Sequence, residues 1–192
     1  MSQSDANPTL ALLSARRSVS PAFLTGPAPD AAEIETLLRL ASRVPDHGKL
    51  TPWRYIVFAG EGRERAGRLA LELKLQDNPG LDAAGREAEL QRFSRSPLVI
   101  AVVSRAAPHV KIPEWEQTLS AGASAMALEI AVAALGFAST WVTEWCAYDA
   151  RFRERIGLAP HERIAGFIHI GRSKSPPEDR RRPALADIVS HF

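Results

Sequence analysis

AGASAMALEIAVAALG, residues 121–136, is apolar nearly all the way round a helical turn. The segment it belongs to, Trp115 to Leu135, is predicted to be one helix of about six turns at 3.6 residues per turn. Glu129 interrupts the apolar run and no flanking charge pattern supports a membrane span, so the helix is expected to be buried on two sides. One side would face the chain's own core. The other, lined with small residues such as Ala121, Gly122 and Ala123, would admit a second helix closely, and a second copy of the chain is the natural candidate. Gly136 stops the helix.

Strand signals lie on either side. Ala138 to Thr143 reads as a short strand and Ile164 to Ile170 as a final one. PLVIAVVS, Pro97 to Ser104, is almost wholly apolar, the mark of a strand covered on both faces. WRYIVFA, Trp53 to Ala59, is compact, β-branched and aromatic between Pro52 and Gly60, which also predicts a strand. Helices are predicted over Leu10–Arg17, from an Asp30 cap to Arg43 or Val44, over Arg63–Gln76 and Leu81–Phe93, and over Asp149–Ile156. The expected architecture is a single α+β domain over residues 1–192. It has a central mixed β-sheet of about four strands flanked by helices, with the long buried helix at a dimer interface.

Composition narrows the function. A chain of 192 residues with 45% hydrophobic residues buries one substantial core, and a net charge of +2 gives no basic stripe for nucleic acid. Arginine outnumbers lysine 20 to 4, and its guanidinium fork suits phosphate and carboxylate. The single Cys146 allows no internal disulfide, and with no leader-like N-terminus the expectation is a cytoplasmic protein off the membrane. Five histidines, at positions 47, 109, 161, 169 and 191, show no metal-ligand spacing, so no metal is expected. GEGRER, Gly60 to Arg65, sits where a dinucleotide fingerprint would but has Arg65 in place of the third glycine, leaving an ordinary strand-to-helix turn. No G-x-S-x-G elbow places a nucleophile and Cys146 reads as a buried inert thiol. Strong chemistry therefore falls to an organic cofactor, with no catalytic side chain of its own expected.

Arg16, Arg17 and Ser18 could cradle a phosphate where the first helix gives way to a loop. Taken alone, two arginines at a helix C-terminus also simply complement the macrodipole. An ordered set of segments adds to them: RRSVS near the start, RVPDHGKLTPWRYIVF, KIPEWEQ, GFASTWVTEW and IAGFIHIGR. In this order the set resembles the nitroreductase superfamily, and within it a compact branch with R-R-S near the N-terminus and P-D-H-x-x-x-P-W before the first strand.

That resemblance implies an FMN-dependent oxidoreductase that takes hydride from NAD(P)H and reduces a small-molecule acceptor, nitroaromatic or quinone-like, in a homodimer whose FMN site both subunits complete. Other flavin chemistry on the same fold is the alternative, as a dehalogenase, dehydrogenase or flavin-fragmenting enzyme, or a flavin-binding protein without turnover. By resemblance, Arg16, Arg17 and Ser18 would hold the phosphate and ribityl side, with Ser20 near the ring. Arg43 and His47 would reach the flavin of the neighbouring subunit, Trp141, Val142 and Thr143 would line the ring, and Arg182 would contact the phosphate. The chain departs from the wider family at Asp46, Lys49 and Thr51, where Ser and Asn or Gln are common, and at apolar Val142.

Overall fold

The computed structural model describes residues 7–175 and 177–192. Helix α1 spans Pro8–Ala15, and the Asn7 side chain caps it by accepting from the Thr9 and Leu10 amides at 3.0 and 3.3 Å. After the two-residue strand β1 (Leu24–Thr25), α2 (Ala31–Ala41) begins on a full capping box: Asp30 accepts from the Glu33 amide while Glu33 accepts from the Asp30 amide, both at 2.8 Å. Then come β2 (Trp53–Phe58), α3 (Glu61–Asp77), α4 (Ala83–Leu90) and β3 (Leu98–Ser104). Helix α5 (Glu114–Ala134), β4 (Ala138–Val142), α6 (Ala150–Arg155) and β5 (Arg163–Ser173) complete the order. Each predicted helix and long strand is present within a few residues of its expected ends, whereas β1 was not anticipated.

The sheet has five strands. Strand β5 lies at its centre, paired with β3 from Leu98↔Ile170 to Ser104↔Arg163 and with β4 from Ala138↔Gly171 to Val142↔Phe167. Strand β2 extends the sheet beyond β3, and β1 pairs with the last residues of β5. These pairings are all antiparallel, so the mixed character expected of the sheet reduces to one parallel bridge, Ser18↔Ser139. That bridge positions the site.

Strand β3 is buried at every residue, and its alternation divides the core in two. Val99, Ala101 and Val103 join Phe58, Phe93, Phe152 and Phe167 on one face, against α3 and α6. Leu98, Ile100 and Val102 join Leu37, Ala41, Leu128 and Val132 on the other, against α2 and α5. Each large side chain so enclosed contributes about 1.5–3 kcal/mol from apolar burial.

Helix α5 meets the expectation of an inner and an outer side. Ala121, Ala125 and Leu128 are fully enclosed by the chain's own core, so Ala121 belongs to the inner side rather than the outer one. Gly122, Ala123 and Met126 are only half-covered, and Trp115 and Leu119 on the same outward stripe are 69% and 53% exposed. Helix α1, which packs along α5, buries none of its residues. Among the described residues no helix is long and apolar enough to cross a membrane.

Candidate functional site

The parallel bridge sets residues 16–20 beside the start of β4, with the Val19 amide donating to the Ser139 carbonyl at 2.9 Å. Arg16 follows α1 and turns towards the C-terminal half of α5, where its Nη1 stands 3.9 Å from Glu129 Oε2. That separation is too long for a hydrogen bond, and Arg16 Nη1 is buried with no hydrogen-bond partner among the described residues. Glu129 is itself almost wholly buried and accepts from the Ser139 hydroxyl at 3.2 Å. Burial raises its carboxyl above the usual range, against the opposing pull of Arg16 and Ser139.

Arg17 folds back on the chain. Its Nη1 donates to the Ser14 and Arg16 carbonyls at 2.6 and 2.8 Å, and its Nε faces Asp179 Oδ1 at 2.6 Å. The same carboxylate oxygen lies 3.7 Å from Arg182 Nη2, and the Arg17 guanidinium holds Asp179 below the usual carboxylate range. Beside this cluster opens a cavity of about 550 Å³, with Ser18, Ser20, Phe23, Thr25, Ser173 and Lys174 in its wall. A smaller one of about 160 Å³ lies between Arg16, Arg17, Phe137 and Ser139. Arg16, Arg17, Ser18, Ser20 and Arg182 thus share one neighbourhood.

Strand β4 leads away from that neighbourhood to Trp141, Val142 and Thr143. Trp141 is 37% exposed and donates from its indole nitrogen to the Ala165 carbonyl at 3.0 Å. Its ring lies against Gly166, where a Cβ would run into the indole nitrogen. Val142 packs against the phenylalanine side of the core, and Thr143 accepts from the Tyr148 hydroxyl at 3.2 Å. Glu144, next in sequence, adopts φ 54°, costly for a residue with a Cβ. Arg92 at 3.0 Å and Arg95 at 2.9 Å grip its carboxylate and, despite burial, keep it below the usual range.

Arg43 and His47 stand elsewhere. Both are exposed, and His47 Nδ1 meets Glu116 Oε2 at 2.7 Å in the first turn of α5. Ser120 donates to the Pro45 carbonyl and ties the loop to the helix. The Asp46 carboxylate shapes the turn by accepting from the Leu50 and Thr51 amides at 3.0 and 2.9 Å. Gly48, Lys49 and Thr51 there all have left-handed φ, at 71°, 55° and 50°. Glu116 and Glu129, the α5 partners of the two arginine-bearing groups, are about 20 Å apart along the helix axis at 1.5 Å per residue. One chain does not bring the two groups together.

Burial pushes the Cys146 thiol up to about 12, which suits the inert role expected of it. Among the described residues no three His, Cys, Asp or Glu side chains gather as a metal site would need. Glu129, Asp179, Ser173 and Lys174 were not picked out by sequence reasoning. Only Glu129 carried a signal, as a lone charge within an apolar helix.

Known proteins resemble the chain as a whole. Residues 13–172 match the Nitroreductase family. An Escherichia coli (strain K12) protein described as "Putative NAD(P)H nitroreductase YdjA" is 36% identical over 165 residues, 84% of this chain and 86% of its own. Among solved structures, a nitroreductase-like family protein from Bacillus cereus aligns with TM-score 0.83 at 24% identity, over 97% of this chain and 96% of its own. A nitroreductase with bound FMN from Bacteroides fragilis NCTC 9343 aligns with TM-score 0.70 at 16% identity, over 97% and 99%. The chain belongs to the Nitroreductase family, and its general activity is that of an oxidoreductase.

Proposed function

We propose that the chain works as a homodimer that binds FMN and uses NAD(P)H to reduce nitroaromatic or quinone-like acceptors. The observation that carries this reading is the cationic cluster at residues 16–18, with its unpartnered buried Arg16 nitrogen, at the edge of a cavity large enough for a ring system. A phosphate fits that donor set. Arg16 and Arg17 offer guanidinium forks and Ser18 a hydroxyl, and Arg182 stands within reach through the Asp179 it shares with Arg17.

Ser20 lies on the cavity wall, where a flavin ring would extend from the phosphate, and Trp141 and Thr143 offer a half-open flank beyond it. With the Val142 side chain turned to the core, its backbone is the part available to a ligand. Arg43 and His47 would come from the second copy, which explains why one chain holds them about 20 Å away along α5. The exposed apolar stripe of α5 and the uncovered α1 supply the surface for that second copy.

When bound, FMN supplies the redox chemistry, receiving hydride from NAD(P)H and delivering it to the acceptor. The chain's own task is to hold the anionic end, orient the ring and leave one face open. No nucleophile is required of it. The test is the absorbance spectrum of the purified protein, followed by anaerobic addition of NADPH. A flavin spectrum that bleaches with NADPH and returns with a nitroaromatic or quinone is expected. Colourless protein with no affinity for added FMN would remove the proposal.

A further inference from the structure

The buried pair behind the phosphate cradle has a property that a plain cation site lacks. Glu129 is 4% exposed and sits in a helix whose inner face is otherwise mostly small and apolar. Strands β3 and β5 and helix α2 present apolar residues to that face: Leu98, Ile100, Val102, Ile168, Ile170 and Leu37. From β4 it receives the Ser139 hydroxyl, and among the described residues the charged group that faces it is Arg16 at 3.9 Å. The carboxylate and the guanidinium are therefore near enough to neutralise one another and too far apart to satisfy one another.

We propose, on the reading that the Arg16–Arg17–Ser18 cradle holds the phosphate of FMN, that Glu129 is the internal counter-charge of Arg16. It takes up a proton when that phosphate binds. In the ligand-free chain, ionised Glu129 balances Arg16 in a region poor in water. A phosphate dianion near Arg16 supplies the balancing charge from outside, and two anions then compete for one buried cation. The carboxylate is the one that yields, because it is the more deeply enclosed and a proton from solvent neutralises it with no change of fold. Burial already places its carboxyl above the usual range, so little further is needed. The other nearby carboxylate, Asp179, is exposed and held low by Arg17, which makes it a poor proton acceptor. Discrimination follows: the cradle favours a dianionic ligand over a neutral one with the same ring.

Calorimetric titration with FMN at pH 7.5, in two buffers of different ionisation enthalpy, measures protons taken up per flavin bound. The phosphate is already a dianion at this pH, with a second pKa near about 6, so uptake is assigned to the protein. Parent protein is expected to take up a substantial fraction of one proton with FMN and none with riboflavin, which has the ring but no phosphate. Glu129→Gln should abolish the uptake and bind FMN roughly tenfold more tightly at pH 7.5, with the gap widening by up to about tenfold per further pH unit. Equal proton uptake in parent and variant, or none in the parent, overturns the role of Glu129 while leaving FMN binding intact. Absence of FMN binding in the parent overturns the functional reading itself, and this inference with it. Should Glu129→Gln fail to fold, the FMN-against-riboflavin comparison in the parent decides alone.

Discussion

The two faces of the sheet are finished differently. On the phenylalanine face, Phe93 lies 5.1, 5.5 and 5.2 Å from the rings of Phe58, Phe152 and Phe167, and several of the charges around the cluster are paired within the chain. Arg151 bridges Asp77 and Asp149, while Arg92 joins Glu89 to Glu144. The α5 face packs alanines and leucines inward but turns Trp115 and Leu119 outward and carries an α1 with nothing buried. The phenylalanine face closes its aromatic core within the polypeptide. The other is where contact with a second molecule has most to add.

The sharpest way to break that contrast is Ala123→Arg, which sets a charge in the outward stripe of α5. Complete conversion of the proposed dimer to monomers in sedimentation velocity is expected, with FMN lost and the circular dichroism of a folded chain kept. A persisting dimer would show that the stripe is not the contact. On the opposite face, Phe93→Ala should cost about 3–5 kcal/mol in urea unfolding, through lost transfer energy and the cavity left behind. The proposed dimer should survive in what remains folded.

His169 sharpens the comparison with pH. It is 1% exposed, with Nδ1 2.8 Å from the Ser96 hydroxyl, and burial, helped by Arg95 and Arg92, lowers its pKa to about 4. An unfolded chain binds this proton below about 6.5 while the folded one resists until about 4. Stability present above pH 6.5 is therefore lost as pH falls towards 4, by up to about 3 kcal/mol. Denaturation curves at pH 7 and 4.5 should show a smaller drop for His169→Gln than for the parent. An identical drop would mean that the ring already carries its proton. The smallest effect belongs to Arg16→Ala. FMN should bind about 10- to 100-fold more weakly, the range for hydrogen bonds to charged groups, with the circular dichroism of a folded apoprotein kept. Equal flavin affinity in a fluorescence titration would move the phosphate elsewhere.

Features written in local periodicity were legible in the sequence. Asp30 and Glu33 announce the start of α2, and the unbroken apolar run of β3 announces a strand covered on both sides. Features made by distant residues were not. The Ser18–Ser139 bridge that carries the arginines to β4, and the pairing of β1 with the end of β5, leave no periodic trace. The site divides in the same way. Arg16, Arg17 and Ser18 stood out as a run, whereas Glu129 read only as an interruption until packing set it beside Arg16. Asp179 lay unnoticed in a charged tail for the same reason.

The seat of Trp141 against Gly166 constrains how this enzyme can diverge. A side chain at 166 would evict the indole from its perch, so the two positions cannot drift independently: replacement at 141 must come first. An engineer wishing to reshape the flank at Trp141 therefore has a defined order of operations. Trimming Trp141 vacates the space, and only then does position 166 become available for a side chain.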